Sequence, residues 1–400
     1  MKQKYVVLRG LPATRPRKTS AGGPAPGPAG TATATMPRIE YQIDMLDPRE
    51  AREVERSSGV LAVAPAMPMR LITPVGEARD VTATPAAATA TWGVKAVRAD
   101  TSPFTGTGIS VAVLDTGIDA GHAAFAGVTI VERDFTTEGN GDQHGHGTHC
   151  AGTIFGRDVQ NTRIGVAPGV TKAFIGKVLG ANGGTSDEIV NAIQWAVDQG
   201  AHVISMSLGM DFPGFVEFLV QSEGLSIPVA TTVALEGYRQ NVTLFERLSS
   251  LVTAIGPFGE PALIIAAAGN ESARDATPPF EIACAPPAVS EGLVSVAALG
   301  QVGTTMDVAS FSNTNAIVAA PGVGVTSAKR GGGLVSMSGT SMATPHVAGI
   351  AVLWAQKILS QGPLRSTEWL ARLIASGTRD GLKAGIDPSD IGSGLVQAPQ

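Results

Sequence analysis

Six short, mainly apolar runs between residues 109 and 320 constrain the fold of this chain more than any other feature. Strands that are covered on both faces have this composition, because neither face of the strand meets water. Between two of the runs, the apolar residues of Asp187–Gln199 recur every four positions, and Gly200 follows, as in an amphipathic helix. Buried strands that alternate with such helices predict an α/β fold with a mainly parallel sheet sandwiched by helices. The runs are Ile109–Leu114, Ala173–Leu179, Val203–Leu208, Leu263–Ala268, Val294–Leu299 and Ile317–Ala320.

The first 72 residues have a different pattern, that of a small α+β domain. Three stretches are typical of short strands and one of a charged helix: Tyr5–Arg9, Ile39–Leu46 and Val60–Val63, and Pro48–Arg56. Residues 11–35 are almost entirely Pro, Gly, Ala, Thr and Ser around a basic patch, so we predict a disordered loop there. A further Ala/Thr/Pro-rich stretch indicates a linker at residues 73–91, and the second domain is expected at residues 92–400.

Charge and composition exclude several classes of protein. A net charge of −5 leaves no surplus of Lys and Arg to neutralise phosphates, which argues against a nucleic-acid partner. The longest apolar runs, such as Ala262–Ala268, are far shorter than the roughly 20 residues of a membrane span, so no membrane association is expected. The first residues show no sustained apolar segment, and we therefore predict no secretory signal and a cytoplasmic location, with non-classical export left open. Cys150 and Cys284 suffice for one disulfide bridge at most.

Two polar residues close apolar runs, at the edge where parallel sheets bind their ligands. Asp115 ends the run ISVAVLD, and Asn270 ends the sequence AAAGN. Taken alone, each has a simple explanation, since Asp is common at turns and helix caps and Gly-Asn is common in turns. An Asn side chain can also donate a hydrogen bond, and a preceding glycine lets the backbone approach a ligand closely.

The segment HGHGTHCAGT, residues 144–153, allows two interpretations. One is a metal site made of His144, His146, His149 and Cys150. The other is a single catalytic base, His146, at the start of a helix that begins near Gly147. A zinc site usually has a second ligand pair at a recognisable spacing, and the other histidines offer none, so we favour the second interpretation and expect no metal ligands. His149 and Cys150 are then packing residues on the buried face of the helix.

The segment GTSMATPHVAGIAVLWAQKIL, residues 339–359, places hydroxyl groups at the start of an apolar helix. A capping serine is the simple explanation of Ser341. However, a helix this apolar must be buried, so its first turn lies inside the domain. Free N–H groups at that end favour negative charge, which is what an acyl-transfer intermediate develops on oxygen.

The candidate residues occur in the order Asp, His, Ser, and the serine lacks the G-x-S-x-G sequence of α/β-hydrolases. From about Trp92 to Ala398 the chain resembles the subtilisin family of serine proteases. The motifs AVLDTGID, GHGTHCAGT, SMSLG, AAAGN and GTSMATPHVAG stand where that family carries its own. Five motifs in the same order over some 300 residues make the resemblance highly specific.

The resemblance implies a serine endopeptidase and assigns roles to particular residues. Ser341 would be the nucleophile, His146 the general base, Asp115 the carboxylate that orients the imidazole, and Asn270 a donor to the oxyanion. Two glycine-containing segments would pair with an extended peptide substrate: Gly183, Gly184 and Thr185, and Ser207, Leu208 and Gly209. No cofactor is expected. Calcium is not indicated, because AGHAAF, residues 120–125, lacks the aspartate that often binds it in this family.

The N-terminal domain resembles, more loosely, the propeptides that inhibit these proteases and assist their folding. If it is one, self-cleavage should fall between Ile72 and Thr91; the alternative is an interaction module that stays attached. A helical crossover at Tyr238–Ile255 would suffice between two strands, so residues 210–237 are an insertion, for which we hypothesise a lid over the substrate groove or an oligomer contact.

Two alternative functions remain open from the sequence. A lidded site would suit a dedicated peptide-maturation protease or a peptide ligase. A catalytically inactive scaffold would be a binding protein, which the intact set of Asp, His, Ser and Asn argues against. The sequence specifies neither the oligomeric state nor the side-chain preference.

Overall fold

The computed structural model describes residues 2–10, 39–82, 87–255 and 260–400. The predicted loop at 11–35 lies outside these ranges. None of the helices in the described ranges is long and apolar enough to cross a membrane. Both cysteines are buried and free, so the disulfide left open by the sequence is not formed.

The N-terminal unit is a three-stranded antiparallel sheet with one helix. Strand β1 (Gln3–Gly10) lies between β2 (Ile39–Leu46) and β3 (Val60–Pro65), and helix α1 (Pro48–Glu55) packs on the sheet. Asp47 begins α1 because its carboxylate accepts from two backbone N–H groups while Glu50 bonds back to the Asp47 N–H. A short strand, β4 (Pro68–Leu71), then leaves this unit.

The segment 73–91, predicted to be a linker, contributes two short strands to the second domain. Strand β5 (Arg79–Val81) pairs with a strand at 334–337, and β6 (Thr89–Ala90) pairs with one at 162–163. Helix α2 (Trp92–Ala96) follows.

An eight-stranded, mainly parallel sheet forms the centre of the second domain, as the apolar runs predict. Eight of the strands not yet named form this sheet, and the others form small sheets beside it. The strands not yet named are β7 (Val111–Asp115), β8 (Thr129–Asp134), β9 (Thr162–Arg163), β10 (Lys172–Lys177), β11 (Gly184–Thr185), β12 (Val203–Met206), β13 (Leu208–Met210), β14 (Leu263–Ala267), β15 (Val294–Val302), β16 (Thr305–Val308), β17 (Val318–Pro321), β18 (Val325–Ala328) and β19 (Leu334–Met337). The order across the sheet is β8, β10, β7, β12, β14, β15, after which β15 pairs with β17 in parallel and with β16 antiparallel.

The helices of the second domain that follow α2 pack on this sheet or on one another. They are α3 (His146–Phe155), α4 (Ser186–Asp198), α5 (Phe212–Gln221), α6 (Ile227–Ile255), α7 (Thr340–Leu359), α8 (Ser366–Ala375) and α9 (Pro388–Ile391). Helix α7 is almost entirely buried and packs on α3 and on the middle strands β12, β14 and β15. Its first turn therefore lies inside the molecule, as its apolar sequence requires.

The insertion contacts both the N-terminal unit and β4, and the hypothesis of a lid or an oligomer contact stays a prediction. Residues 210–237 form α5 and the first turns of α6, which is one helix of 29 residues and begins well before the predicted crossover at Tyr238. Both helices pack together, and α6 packs on β3 of the N-terminal unit. The insertion thus forms part of the surface on which the N-terminal unit packs.

Candidate active site

Asp115 is the last residue of β7, in the interior of the sheet. Its carboxylate is buried; Oδ1 accepts from the Thr116 backbone N–H and lies 2.7 Å from Nδ1 of His146. The parallel sheet therefore delivers an acid to its carboxyl edge, where the sequence predicted a ligand-binding residue.

His146 is the first residue of α3 and is fully buried. The turn before it requires glycine, because Gly145 has a φ of 101°. Gly147 is needed for a different reason: a Cβ there would lie 2.1 Å from the carbonyl oxygen of Gly117. This close approach brings the Asp115 loop against the first turn of α3 and so joins the acid to the imidazole.

The pKa of His146 results from two opposed effects. Burial is the largest single effect and lowers it, but the charge and hydrogen bond of Asp115, together with the neighbouring Cys150, hold the pKa well above its usual value. Among the described residues, Nε2 of His146 has no hydrogen-bond partner. The ring is thus anchored through Nδ1, which leaves Nε2 to accept a proton.

Asp142 is a buried residue of this site that the sequence analysis missed. Its Oδ1 accepts from the backbone N–H of Gly145 and from Thr116 Oγ1, at 2.7 and 3.0 Å. Its Oδ2 accepts from both the backbone N–H and the hydroxyl of Thr148. This carboxylate ties the Asp115 loop to the start of α3, and its place four residues before His146, ahead of a helix N-terminus, was the available signal.

Ser341 lies in the first turn of α7 and is fully buried. Its Oγ donates to the carbonyl oxygen of Ile72 at 2.9 Å. The nucleophile candidate therefore points at a peptide bond of the chain itself, just beyond β4.

Asn270 follows β14, and its side chain contacts the same segment of the chain just beyond β4. Its Nδ2 donates to the carbonyl oxygen of Thr73 at 2.9 Å. Its Oδ1 accepts from the backbone N–H and the hydroxyl of Thr340, both at 2.9 Å. Thr340, one of the hydroxyl residues at the start of α7, thus fixes which way the amide donates, a contact that the sequence did not predict.

Strand β4 fills the cleft that the sequence assigned to substrate. It lies antiparallel to β11 on one side and to β13 on the other, so Met69 is opposite Gly184 and Arg70 is opposite Gly209. The N–H of Ile72 donates to the carbonyl oxygen of Ser207 at 3.3 Å. All six predicted substrate-pairing residues are therefore gathered around one extended segment: Gly183, Gly184, Thr185, Ser207, Leu208 and Gly209.

The four candidate metal ligands of the HGHGTHCAGT segment do not converge. Within the described ranges, the metal-ligand types that lie together are Asp115, His146 and Cys150, a group that leaves out His144 and His149. His149 Nε2 instead lies 3.0 Å from the carbonyl oxygen of Val325, and burial lowers the pKa of this histidine to about 3.

Cys150 is buried beside the triad. Its sulfur lies 3.8 Å from Nδ1 of His146 and donates to the carbonyl oxygen of Ser341 at 3.4 Å. Burial raises the pKa of this thiol, which keeps it protonated and poorly nucleophilic. Cys150 is thus a packing residue, as predicted.

Comparison with known proteins gives a consistent result. Residues 106–386 match the model of the subtilase family, Peptidase_S8. Alkaline elastase YaB of Bacillus sp. (strain YaB) is 34% identical over 319 residues, which cover 78% of this chain and 69% of the relative. Subtilisin Savinase of Lederbergia lenta is 34% identical over 316 residues, 77% of this chain and 96% of the relative. A solved structure, that of a cold adapted subtilisin-like serine proteinase, superposes with a TM-score of 0.55 at 26% identity and covers 78% of this chain and 99% of its own.

Proposed function

The chain belongs to the subtilase family and is a serine endopeptidase, and from this premise we propose that residues 1–72 are its first substrate and its inhibitor. One observation carries the proposal: β4 lies in the cleft as an extended peptide would, and it delivers the Ile72 carbonyl to Ser341. Polypeptides added from outside would occupy the same strand position once β4 has left.

Four residues supply the chemistry in this proposal. His146 Nε2 takes the proton of Ser341 Oγ as that oxygen attacks the carbonyl carbon, and it later protonates the leaving amine. Asp115 holds the imidazole through Nδ1 and stabilises its charged form. The developing oxyanion is stabilised by Nδ2 of Asn270 and by the backbone N–H of Ser341; loss of an equivalent asparagine in a subtilisin costs roughly 10²–10³ in turnover. Water then hydrolyses the acyl-enzyme.

The bond between Ile72 and Thr73 is the proposed site of self-cleavage. The Ile72 N–H pairs with Ser207 and its carbonyl contacts Ser341, so this residue ends the paired strand at the nucleophile. Asn270 donates to the next carbonyl, that of Thr73. Attack therefore requires the Ile72 carbonyl to turn towards the Asn270 amide and replace the Thr73 carbonyl there, while the strand keeps its register.

The N-terminal unit is suited to inhibit after cleavage, because it is held at several points besides β4. Asn241 Nδ2, buried on α6, donates to the carbonyl oxygen of Pro65 at 2.9 Å. Met67 exchanges hydrogen bonds with Ser186 at the start of α4, at 2.9 and 3.0 Å. A cut at residue 72 breaks none of these contacts, so the product would stay in the cleft until it is removed.

Labelling with a fluorophosphonate probe tests the assignment of the nucleophile. We expect the processed protein to be labelled at Ser341 and to hydrolyse a peptide substrate, and the Ser341→Ala variant to do neither. Product analysis in the presence of a peptide with a free amine distinguishes hydrolysis from ligation. Labelling at another residue, or wild-type hydrolysis by Ser341→Ala, would contradict the assignment.

A further inference from the structure

Arg70, in the middle of β4, makes two ion pairs with the second domain. It is the third residue before the proposed scissile bond and lies opposite Gly209 in the cleft. Its Nη1 lies 3.1 Å from Oδ1 of Asp211, and its Nη2 lies 3.2 Å from Oε1 of Glu271. One guanidinium therefore bridges two carboxylates of the second domain.

Both carboxylates come from segments that build the site. Asp211 directly follows β13, the strand that pairs with β4, and Glu271 directly follows Asn270. Their backbone positions are thus set by the catalytic machinery. The cation, in contrast, is brought by the N-terminal unit.

Each carboxylate is also held by a contact that does not involve Arg70. Asp211 Oδ1 accepts from the backbone N–H of Gly214 at 3.1 Å and so caps the start of α5. Glu271 Oε2 accepts from Nδ2 of the buried Asn313 at 2.7 Å. When β4 leaves, the two acids remain in place and face each other without a cation between them, which favours a new cation at that position.

We propose that Asp211 and Glu271 form a subsite for a basic side chain at the third residue before the scissile bond. The enzyme then selects substrates that carry Arg there, with Lys second, because a planar guanidinium reaches both acids while an ammonium is a single point charge. This inference rests on the proposed function, since it takes β4 as a model of a bound substrate. It also gives the insertion at residues 210–237 a part in substrate choice, through Asp211.

A series of fluorogenic peptides tests the subsite. The peptides share the sequence of β4 and differ only at the third position before the cut, which is Arg, Lys, citrulline or Glu; citrulline keeps the shape of Arg without its charge. With the self-processed wild-type enzyme, we expect kcat/KM to fall in that order, with Arg roughly three- to tenfold above citrulline because the ion pairs are half exposed. The ratio should shrink as salt is added.

Substitutions then assign the preference to the two acids. In Asp211→Asn and in Glu271→Gln, the ratio of Arg to citrulline should fall towards one, and the double variant should lose the preference. The matched control is Glu217→Gln, which removes one charge from an exposed position of α5 and should keep the wild-type ratio. Because each ratio compares two peptides on one enzyme, a change in overall activity does not affect it.

Equal hydrolysis of the Arg and citrulline peptides by the wild-type enzyme would overturn the subsite and leave the proteolytic function intact. A preference that persists in the double variant would overturn the assignment to Asp211 and Glu271. Failure to hydrolyse any peptide, together with failure to label Ser341, would instead overturn the proposed function and this inference with it.

Discussion

Two buried histidines lie behind the triad and must be uncharged in the folded protein. Burial lowers the pKa of His149 to about 3 and that of His346 to about 4. The ring of His346 is held by a contact of 2.9 Å between Nδ1 and the carbonyl oxygen of Met342, and the backbone of Gly93 packs against its other nitrogen, where a Cβ would lie 2.2 Å away. Both rings are fully buried, so a proton added to either in the folded state puts a charge away from solvent.

These pKa values predict a loss of stability in mild acid. The unfolded chain binds a proton at each histidine below about pH 6.5, whereas the folded chain does not, so stability is present above that pH and falls as the pH is lowered. For His346 the slope is about 1.4 kcal/mol per pH unit down to pH 4, or about 3 kcal/mol in total. Urea unfolding of the inactive Ser341→Ala protein at pH 7, 6, 5 and 4 measures it without self-digestion.

The variant His346→Gln, in the same Ser341→Ala background, isolates this contribution. Between pH 6.5 and pH 4 its free energy of unfolding should fall less steeply than that of the parent. The difference in slope should be about 1.4 kcal/mol per pH unit, the contribution of one bound proton. His144→Gln, at an exposed position, is the matched control. A slope in His346→Gln equal to that of the parent would show that this ring is not a source of acid sensitivity.

The residues of the triad could be predicted from the sequence because each stands in its own short motif. Asp115 contacts His146, and the side chains of Asn270 and Ser341 both bond to the segment just beyond β4; their catalytic roles stay a prediction. Asp142 and Thr340 were not predicted, because their roles depend on hydrogen bonds to other segments: Asp142 bonds to Thr116, and Thr340 to Asn270, 70 residues away. Residue type alone does not distinguish an Asp or Thr that caps a helix from one that positions another side chain of the site.

At the scale of elements, α6 does more than connect two strands. Its first turns extend the surface on which the N-terminal unit rests, and Gly237 faces that unit, with a position for a Cβ only 2.9 Å from Met67 Sδ and 3.3 Å from Pro65 Cγ. Helical propensity favours almost any residue over glycine at such a position. The glycine is therefore explained by the close approach of the N-terminal unit.

Gly237→Leu should weaken the hold of the N-terminal unit while α6 itself gains stability. Overpacking of this kind costs roughly 1–3 kcal/mol. If the whole cost appears in the rate of release, the inhibitor leaves about 5- to 150-fold faster after cleavage. The lag between disappearance of the full-length chain on a gel and hydrolysis of a fluorogenic peptide measures this release. Leu235→Ala, on an exposed side of the same helix, is the matched control.

An unchanged lag in Gly237→Leu would contradict the role given to α6. The sequence predicted the helix Tyr238–Ile255 and took the residues before it as an insertion that could be a lid or an oligomer contact. It did not show that they pack on the N-terminal unit, because an apolar insertion carries no internal sign of its packing partner. Its partner, β3, lies more than 160 residues earlier in the chain. The strands of the central sheet were predictable because strands buried on both faces form mainly apolar runs in the sequence.

At the scale of the whole molecule, the two halves are joined through the active site itself. The N-terminal unit sends β4 into the cleft, and the chain then continues along the second domain, where the N–H of Val75 donates to the carbonyl oxygen of Ser338 and β5 pairs with β19. The sequence divides the halves by their patterns, yet β4 and β5 were not predicted as strands. Pairing between segments this far apart depends on the fold as a whole and leaves only a weak pattern in the sequence.

The direct test of the account is to determine the N-termini and intact masses of the purified wild-type protein and of Ser341→Ala. If residues 1–72 are the first substrate, the wild type yields a second chain that begins at Thr73, and Ser341→Ala remains one uncut chain. A wild-type protein that hydrolyses peptides while still full length would contradict the account, as would the same cut in Ser341→Ala.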